Sequence, residues 1–226
     1  MPLDNANHKA VVFDLDGTLI DSLPDLAGAL NRSLARHGSP PVPLTEVAPM
    51  VGDGARVLLH KGYAARNLHP SDHDEAFFLA DYEAHVTDLT KPFPGIPEAL
   101  IALRDSGYQL GLCTNKPEVS ARIVLSALDL DKFFPIVVGG DATTHRKPDP
   151  RHLAAVLAAM NVAKDQAVMI GDHANDMAAA SGLGVTAIFV TWGYGRTDAP
   201  VRVDRAIDLP EMVARVFADR DALLTS

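Results

Sequence analysis

The chain has 226 residues, 47% of them apolar, with 29 acids against 20 bases and a formal charge of −9. That length suits one substantial core with a modest insertion, or two small domains, and the apolar fraction is ordinary for a globular protein. The acidic balance argues against non-specific binding to nucleic acid or an anionic membrane, which needs a basic face, but it leaves room for an anionic small substrate where a few cations or a metal reverse the sign in one cleft.

The polar first residues carry no long apolar segment, so no signal peptide is expected, and no stretch approaches the roughly 18 apolar residues that span a bilayer. The first apolar run, Ala10–Phe13, reads as a buried strand. It ends in Asp14-Leu15-Asp16-Gly17-Thr18. Residues two apart share a side of an extended chain, so Asp14 and Asp16 can face one ligand, and Gly17 permits a tight turn. Two like charges beside a buried strand are costly unless something positive holds them.

About 75 residues without a convincing buried strand follow. Asp25–His37, Gly54–Tyr63 and Ser71–Leu89 read as amphipathic helices, between turn-rich boundaries at Asp21-Ser22-Leu23-Pro24 and Lys91-Pro92-Phe93-Pro94-Gly95. The simplest account is a helical domain, 21–95, inserted after the first strand of a core made of 1–20 and 96–226, and lying over the carboxyl edge of its sheet. From there strands alternate with helices. Strands are expected at Gln109–Cys113, Ile136–Val138, Ala167–Ile170 and Val185–Val190. Helices are expected at Pro97–Asp105, Pro117–Leu128, Pro150–Met160, Asn175–Ser181 and Leu209–Phe217, with Gly107 and Gly182 near helix ends. Near-continuous apolar strands alternating with helices predict an α/β, doubly wound, Rossmann-like parallel sheet, with ligands at the carboxyl ends of its strands. Cys113, the single cysteine, lies in an apolar run and reads as a buried small hydrophobe. One cysteine permits no internal disulfide and fits a reducing, cytoplasmic setting.

Four polar clusters fall at or beside strand ends: Asp14 to Thr18; Thr114-Asn115-Lys116; Arg146-Lys147-Pro148-Asp149-Pro150; and Gly171-Asp172-His173-Ala174-Asn175-Asp176. Each alone reads equally well as a helix cap or a solvated charge. Together they make an oxygen-rich divalent-cation site beside a lysine. Carboxylates with few other ligands suit Mg²⁺, which keeps waters and favours phosphate oxygens. Mg²⁺ would lower the cost of placing Asp14 beside Asp172, while Thr114 and Lys147 could meet phosphoryl oxygens.

These four motifs, in this order, resemble those of the haloacid dehalogenase superfamily over the whole chain, and the helical insertion resembles that superfamily's alpha-helical cap. The resemblance implies a phosphatase working through an aspartyl-phosphate. Asp14 would be the nucleophile and Asp16 the acid and then base, with Thr18 orienting Asp16 and bordering the substrate. Mg²⁺ would be held by Asp14, the Asp16 carbonyl and Asp172, with Asp176 supporting Asp172 or a metal-bound water; Thr114 and Lys147 would hold the phosphoryl group. The dehalogenating branch lacks an acid at the position of Asp16, so Asp16 favours phosphoester chemistry. His173 stands where the family often has Ser, and could alter metal contacts or point away.

Within the superfamily, Val51-Gly52-Asp53-Gly54-Ala55-Arg56, Thr114-Asn115-Lys116-Pro117, Val138-Gly139-Gly140-Asp141 and Trp192-Gly193-Tyr194-Gly195 look like stretches of phosphoglycolate phosphatases. On that resemblance Gly52, Gly54, Arg56, Asn115 and Lys116 join Thr18 as substrate-binding candidates, with Arg56 or Lys116 supplying charge for a substrate carboxylate. The competing readings are an exposed helix residue for Arg56 and a plain helix-start loop for Gly52 and Gly54. The expected partner is a small phosphoester, with no nucleic acid and no membrane; the sequence is silent on oligomeric state. The rivals are a phosphatase for another small ester (a sugar phosphate, a nucleotide or pyrophosphate), a phosphosugar mutase, a carbon–phosphorus hydrolase and a receiver-type phospho-aspartate module. A mutase would usually carry Glu where this chain has Gly171. A receiver needs no helical lid.

Overall fold

The computed structural model describes residues 9–224; residues 1–8, where the signal-peptide reading and the start of the core segment fall, lie outside the described residues. In chain order, β1 (Ala10–Phe13) leads through a short β2 (Ile20–Asp21) into α1 (Leu23–Ala35), α2 (Leu44–Val47), α3 (Ala55–Ala64) and α4 (Asp72–Ala84). The chain returns at β3 (Lys91–Pro92). It then alternates α5 (Ile96–Asp105), β4 (Gln109–Cys113), α6 (Glu118–Ala127), β5 (Ile136–Val138), α7 (Pro150–Met160), β6 (Ala167–Gly171), α8 (Ala174–Leu183), β7 (Thr186–Val190), β8 (Arg202–Val203) and α9 (Leu209–Leu224).

The main sheet is parallel throughout, in the order β5-β4-β1-β6-β7-β8. The order reverses at β1, and a crevice at such a switch point is where doubly wound sheets take ligands. The register fixes what meets there. Phe13 lies beside Leu112 on β4 and Ile170 on β6, so Asp14, Thr114 and Asp172 emerge from three adjacent strands at one edge. Both faces are covered, which is why the strands are apolar without strict alternation. Val11 and Phe13 belong to a cluster with Leu100, Leu103, Val213 and Phe217. Ala10, Val12 and Cys113 join Leu153, Val156, Leu157 and Ala180 on the other face. Cys113 is fully buried, as expected, and burial pushes its thiol up to about 12. No described helix is long and apolar enough to cross a membrane.

The four helices between β2 and β3 pack mainly on one another, α1 against α2, α3 and α4. The two chain crossings between these helices and the sheet pair as an antiparallel ribbon, Ile20 opposite Pro92 and Asp21 opposite Lys91. Asp25 reinforces the return. Its buried carboxylate accepts from Leu89 N (3.0 Å), Thr90 N (2.8 Å) and Thr90 Oγ1 (2.7 Å). Several boundaries differ from expectation. The helix expected over Ser71–Leu89 stops at Ala84, because a Ser71–Asp74 capping box fixes its start and the chain turns from His85. Gly182 lies inside α8; the helix ends on Gly184, whose φ of +76° suits a left-handed cap that glycine adopts without penalty.

Asp25→Ala would strand three donors, two amides and a hydroxyl, where the chain re-enters the sheet. We expect a loss of about 2–3 kcal/mol in urea unfolding at neutral pH; a loss below about 0.5 kcal/mol would show that water replaces the carboxylate.

Candidate active site

Four acids and two lysines meet at the carboxyl edge. Asp14 is 6% exposed, Asp172 2% and Asp176 fully buried, and one carboxylate oxygen from each lies within 4.8 Å of the others. The Lys147 ammonium sits 2.8 Å from Asp14 Oδ1 and 2.6 Å from Asp176 Oδ1. These contacts are charge pairs without hydrogen-bond alignment, so the buried Asp176 Oδ1 has no hydrogen-bond donor. Burial raises the Asp14 and Asp176 carboxyls, against the pull of Lys147. Burial, then the Asp14 charge, raises Asp172 to about 6. Lys147 is held above its ordinary value: burial works against its charge, but Asp14 and Asp176 outweigh it.

The loop after β7 locks Asp172. Tyr194 N (2.8 Å) and Gly195 N (3.2 Å) donate to Oδ2, and Thr18 Oγ1 (3.0 Å) donates to Oδ1. Trp192 Nε1 bonds the Thr18 carbonyl at 3.0 Å, and the Tyr194 hydroxyl reaches Asp21 Oδ1 at 2.7 Å. A Cβ at Gly193 would overlap the Asp172 side chain, and one at Gly195 its carbonyl, so close approach explains both glycines. Thr18 therefore serves Asp172, not Asp16 as expected. The tight turn through Gly17 carries Thr18 to Asp172, and Ser22 Oγ takes its place, donating to Asp16 Oδ1 at 2.6 Å. Asp176 goes further than a supporting role at a distance: it completes the carboxylate cluster while also accepting from His173 N (3.0 Å) in the α8 capping box.

On the substrate side, Asp14, Asp16, Thr114, Asn115 and Lys116 line a small cavity with Leu26, Val51, Gly52, Gly54, Ala55, Leu58 and Tyr82. Lys116 Nζ is 3.1 Å from Asp16 Oδ1 and bonds the Tyr82 hydroxyl. Tyr82, from α4, carries no sequence signal beyond its place on an apolar helix face, and sequence reasoning missed it. Burial pushes its phenol up to about 12. Lys116 is raised above its ordinary value, burial being outweighed by Asp16 and Tyr82. Thr114 Oγ1 accepts from Lys116 N at 3.2 Å.

Of the substrate candidates, Thr18 is fully buried and does not line the cavity, Arg56 is corrected too, and Asn115 lines it with a side chain already engaged. Arg56 does not line the cavity; its exposed guanidinium pairs with Glu75 at 2.8 Å, because α3 turns position 56 toward α4 and solvent. The Asn115 side chain is committed to the scaffold. It donates to the Gly52 and Lys147 carbonyls, both at 2.9 Å, and accepts from Lys147 N at 3.0 Å. Gly52 and Gly54 line the cavity at φ of +113° and +96°, and Gly54 also begins α3, so the substrate-loop and helix-start readings describe one loop.

This donor set fits a hard divalent cation. It is all oxygen, acidic and buried, and no His or Cys belongs to it among the described residues. Carboxylates that can share a cation, set beside a lysine, suit chemistry on an anionic group.

Sequence comparison places the chain in a class. Residues 11–190 match the model of the haloacid dehalogenase-like hydrolases, and the chain belongs to that family of hydrolytic enzymes. It is 43% identical over 204 residues to a phosphoglycolate phosphatase of Caulobacter vibrioides, covering 88% of this chain and 85% of the relative. It is 38% identical over 219 residues to one from Cereibacter sphaeroides, covering 92% and 99%. Among solved structures, a predicted phosphoglycolate phosphatase from Haemophilus somnus superposes with a TM-score of 0.84 at 26% identity, covering 91% and 98%.

Because the Asp172 carboxyl is raised from its ordinary range to about 6 in the folded state, its ionisation costs stability as pH rises from about 4 to about 6, and the cost is constant above that. Asp172→Asn keeps an acceptor for Tyr194 N and gives Thr18 a donor. In chelator, its melting temperature should gain on that of the wild type as pH goes from about 4 to about 6 and hold that gain at higher pH. A difference independent of pH would refute the burial-driven shift.

Proposed function

We propose that the protein is a Mg²⁺-dependent phosphomonoesterase that hydrolyses 2-phosphoglycolate to glycolate and phosphate through an aspartyl-phosphate on Asp14. The observation that carries this is the buried meeting of Asp14, Asp172 and Asp176 with Lys147 at the sheet's switch point, with Asp16 beside the same cavity. The phosphoglycolate phosphatases among the relatives, at 38–43% identity, support the substrate.

In this reading Asp14 attacks phosphorus, Asp16 protonates the departing alkoxide, and Asp16 then takes a proton from the water that frees Asp14. Lys147 faces Asp14 and neutralises charge building on the phosphoryl oxygens. The Thr114 hydroxyl spends only its acceptor side on Lys116 N among the described residues, so its proton is free for a phosphoryl oxygen. Asp14, the Asp16 carbonyl and Asp172 would hold Mg²⁺, with Asp176 supporting them; the ion would supply charge neutralisation at the phosphoryl group. The segment 21–95 would act as the cap, hinged at the β2–β3 ribbon and seated through Gly52, whose carbonyl accepts from Asn115 (2.9 Å) and Asn175 (3.4 Å), and through Asp53, bonded by Asn175 (2.7 Å). Closure would exclude water and favour a small ester.

The mutase alternative is disfavoured by space. A Cβ at position 171 would overlap the Asp176 carboxylate, leaving no room for the glutamate of the mutase pattern. The carbon–phosphorus alternative needs a cap lysine in the cavity, whereas Lys61 pairs with Asp53 at 2.6 Å and does not line it.

The test is phosphate release from 2-phosphoglycolate, hexose phosphates, nucleoside monophosphates and pyrophosphate, with Mg²⁺ and with chelator. The highest kcat/KM should fall to 2-phosphoglycolate and vanish with chelator, and Asp14→Asn should lose at least about a thousandfold while melting cooperatively. An active Asp14→Asn protein would sink the mechanism; chelator-sensitive turnover that favours another ester would sink the substrate alone.

A further inference from the structure

We propose that Tyr82 and Lys116 form a carboxylate-binding subsite that selects esters whose alcohol carries a carboxylate beside the reacting oxygen. This rests on the phosphatase reading and deepens it by assigning the group that sets specificity.

Four observations carry it. Both side chains are buried, 3% and 4% exposed, and both line the cavity that Asp14, Asp16 and Thr114 share. Lys116 is the one cation among the described residues that line this cavity; Arg56 faces Glu75, and Arg146, whose guanidinium reaches Gly54, is not among the lining residues. One donor is left unspent and another is loosely held. An ammonium has three N–H groups, and Lys116 turns them to Asp16 Oδ1 (3.1 Å), Asp16 Oδ2 (3.3 Å) and the Tyr82 oxygen, the two Asp16 contacts being long ones. The Tyr82 oxygen is an acceptor in that contact, so its own proton is uncommitted. Finally, the two donors come from opposite walls, Tyr82 from α4 and Lys116 from the loop after β4, so they converge only when the two walls are together.

The unspent Tyr82 hydroxyl beside the Lys116 charge, which can trade its longer Asp16 contact for a new acceptor, matches the two oxygens of a carboxylate. The acids explain why such a group must be read. A substrate carboxylate would enter beside Asp16, and without Lys116 that approach is repulsive. A neutral alcohol would instead leave the buried Tyr82 hydroxyl without an acceptor. A site built this way rejects the analogue that lacks the group more strongly than an apolar site could. Leu26, Val51, Ala55 and Leu58 close the rest of the cavity with apolar surface, offering no partner to further hydroxyls of a sugar.

The experiment compares kcat/KM for 2-phosphoglycolate and for ethyl phosphate, which replaces the carboxylate by a methyl group, in wild type, Tyr82→Phe and Lys116→Met. In wild type the ratio should favour 2-phosphoglycolate by at least about a hundredfold, and each variant should lower that ratio by about tenfold or more, chiefly through KM for 2-phosphoglycolate. Loss of both esters in equal proportion would overturn the subsite while leaving the phosphatase reading intact, and so would a wild type that hydrolyses both equally in an Asp14-dependent way. If wild type releases phosphate from neither ester, the phosphatase reading has failed; calorimetric binding of the two esters to the same proteins then decides the subsite separately, equal affinities overturning it. Lys116→Met tests the pair independently should Tyr82→Phe unfold.

Discussion

Burying several carboxylates within a few ångströms of each other is the constraint on which the rest of this structure depends. Asp14, Asp172 and Asp176 share a space from which water is nearly excluded, and their mutual repulsion and lost hydration would oppose folding without compensation. Lys147 supplies part of it by standing between Asp14 and Asp176. Backbone amides supply more: Tyr194 and Gly195 N–H on Asp172, and His173 N–H on Asp176. Each device demands sequence elsewhere. The amides reach Asp172 only because residues 193 and 195 lack side chains, and Gly171 leaves space for Asp176. The raised carboxyls are what remains uncompensated, and a cation would discharge it.

The same few side chains that build the site also tie it to the helices above. Asn115 clamps Lys147 through that residue's amide and carbonyl and holds the Gly52 carbonyl, so the lysine's position and the seating of loop 52–54 share one amide group. Tyr194 presents its amide to Asp172 and its hydroxyl to Asp21, beside the ribbon where the chain leaves the core, and Leu23 N donates to that hydroxyl at 3.1 Å. The proposed cap and the carboxylate cluster therefore answer to one another through hydrogen bonds and not only through apolar contact, which gives closure a route to the geometry around Asp14.

The sequence disclosed the sheet well because buried parallel strands are apolar runs and their helices are capped by Pro, Gly and Asp; among the described residues the longer strands and the eight longer helices form where periodicity puts them, with α4 ending five residues early at Ala84 and α9 running seven residues beyond Phe217 to Leu224. What escaped was short. The two-residue strands β2, β3 and β8 and the one-turn α2 carry too few residues to show a period, and tertiary pairing alone defines them. At the site, Asp14, Asp16, Thr114, Lys147 and Asp172 were legible because strand ends of a doubly wound sheet point to one place. Ser22, Tyr82 and the amides of Tyr194 and Gly195 were not, since backbone donors have no residue signature and Tyr82 arrives from a helix far away in sequence. Arg56 misled because charge alone does not reveal which way a helix turns a side chain, and Asn115 lines the cavity while its amide serves the scaffold.

His173 shows how a departure from a pattern can be absorbed. Its ring does not approach the carboxylate cluster as a ligand. Nδ1 accepts from Asn175 N at 3.2 Å, doing at the start of α8 what a hydroxyl would do with less bulk. The rest of the ring lies over Gly52, where a Cβ would come within 2.8 Å of Cδ2. Histidine at 173 and glycine at 52 are thus complementary: the ring occupies space that any other residue at 52 would claim. Position 52 in turn is held at a φ of +113° that glycine adopts without penalty. A change at the mouth of the site is matched across the space between core and helices, and the carboxylates behind it keep the contacts on which their burial depends.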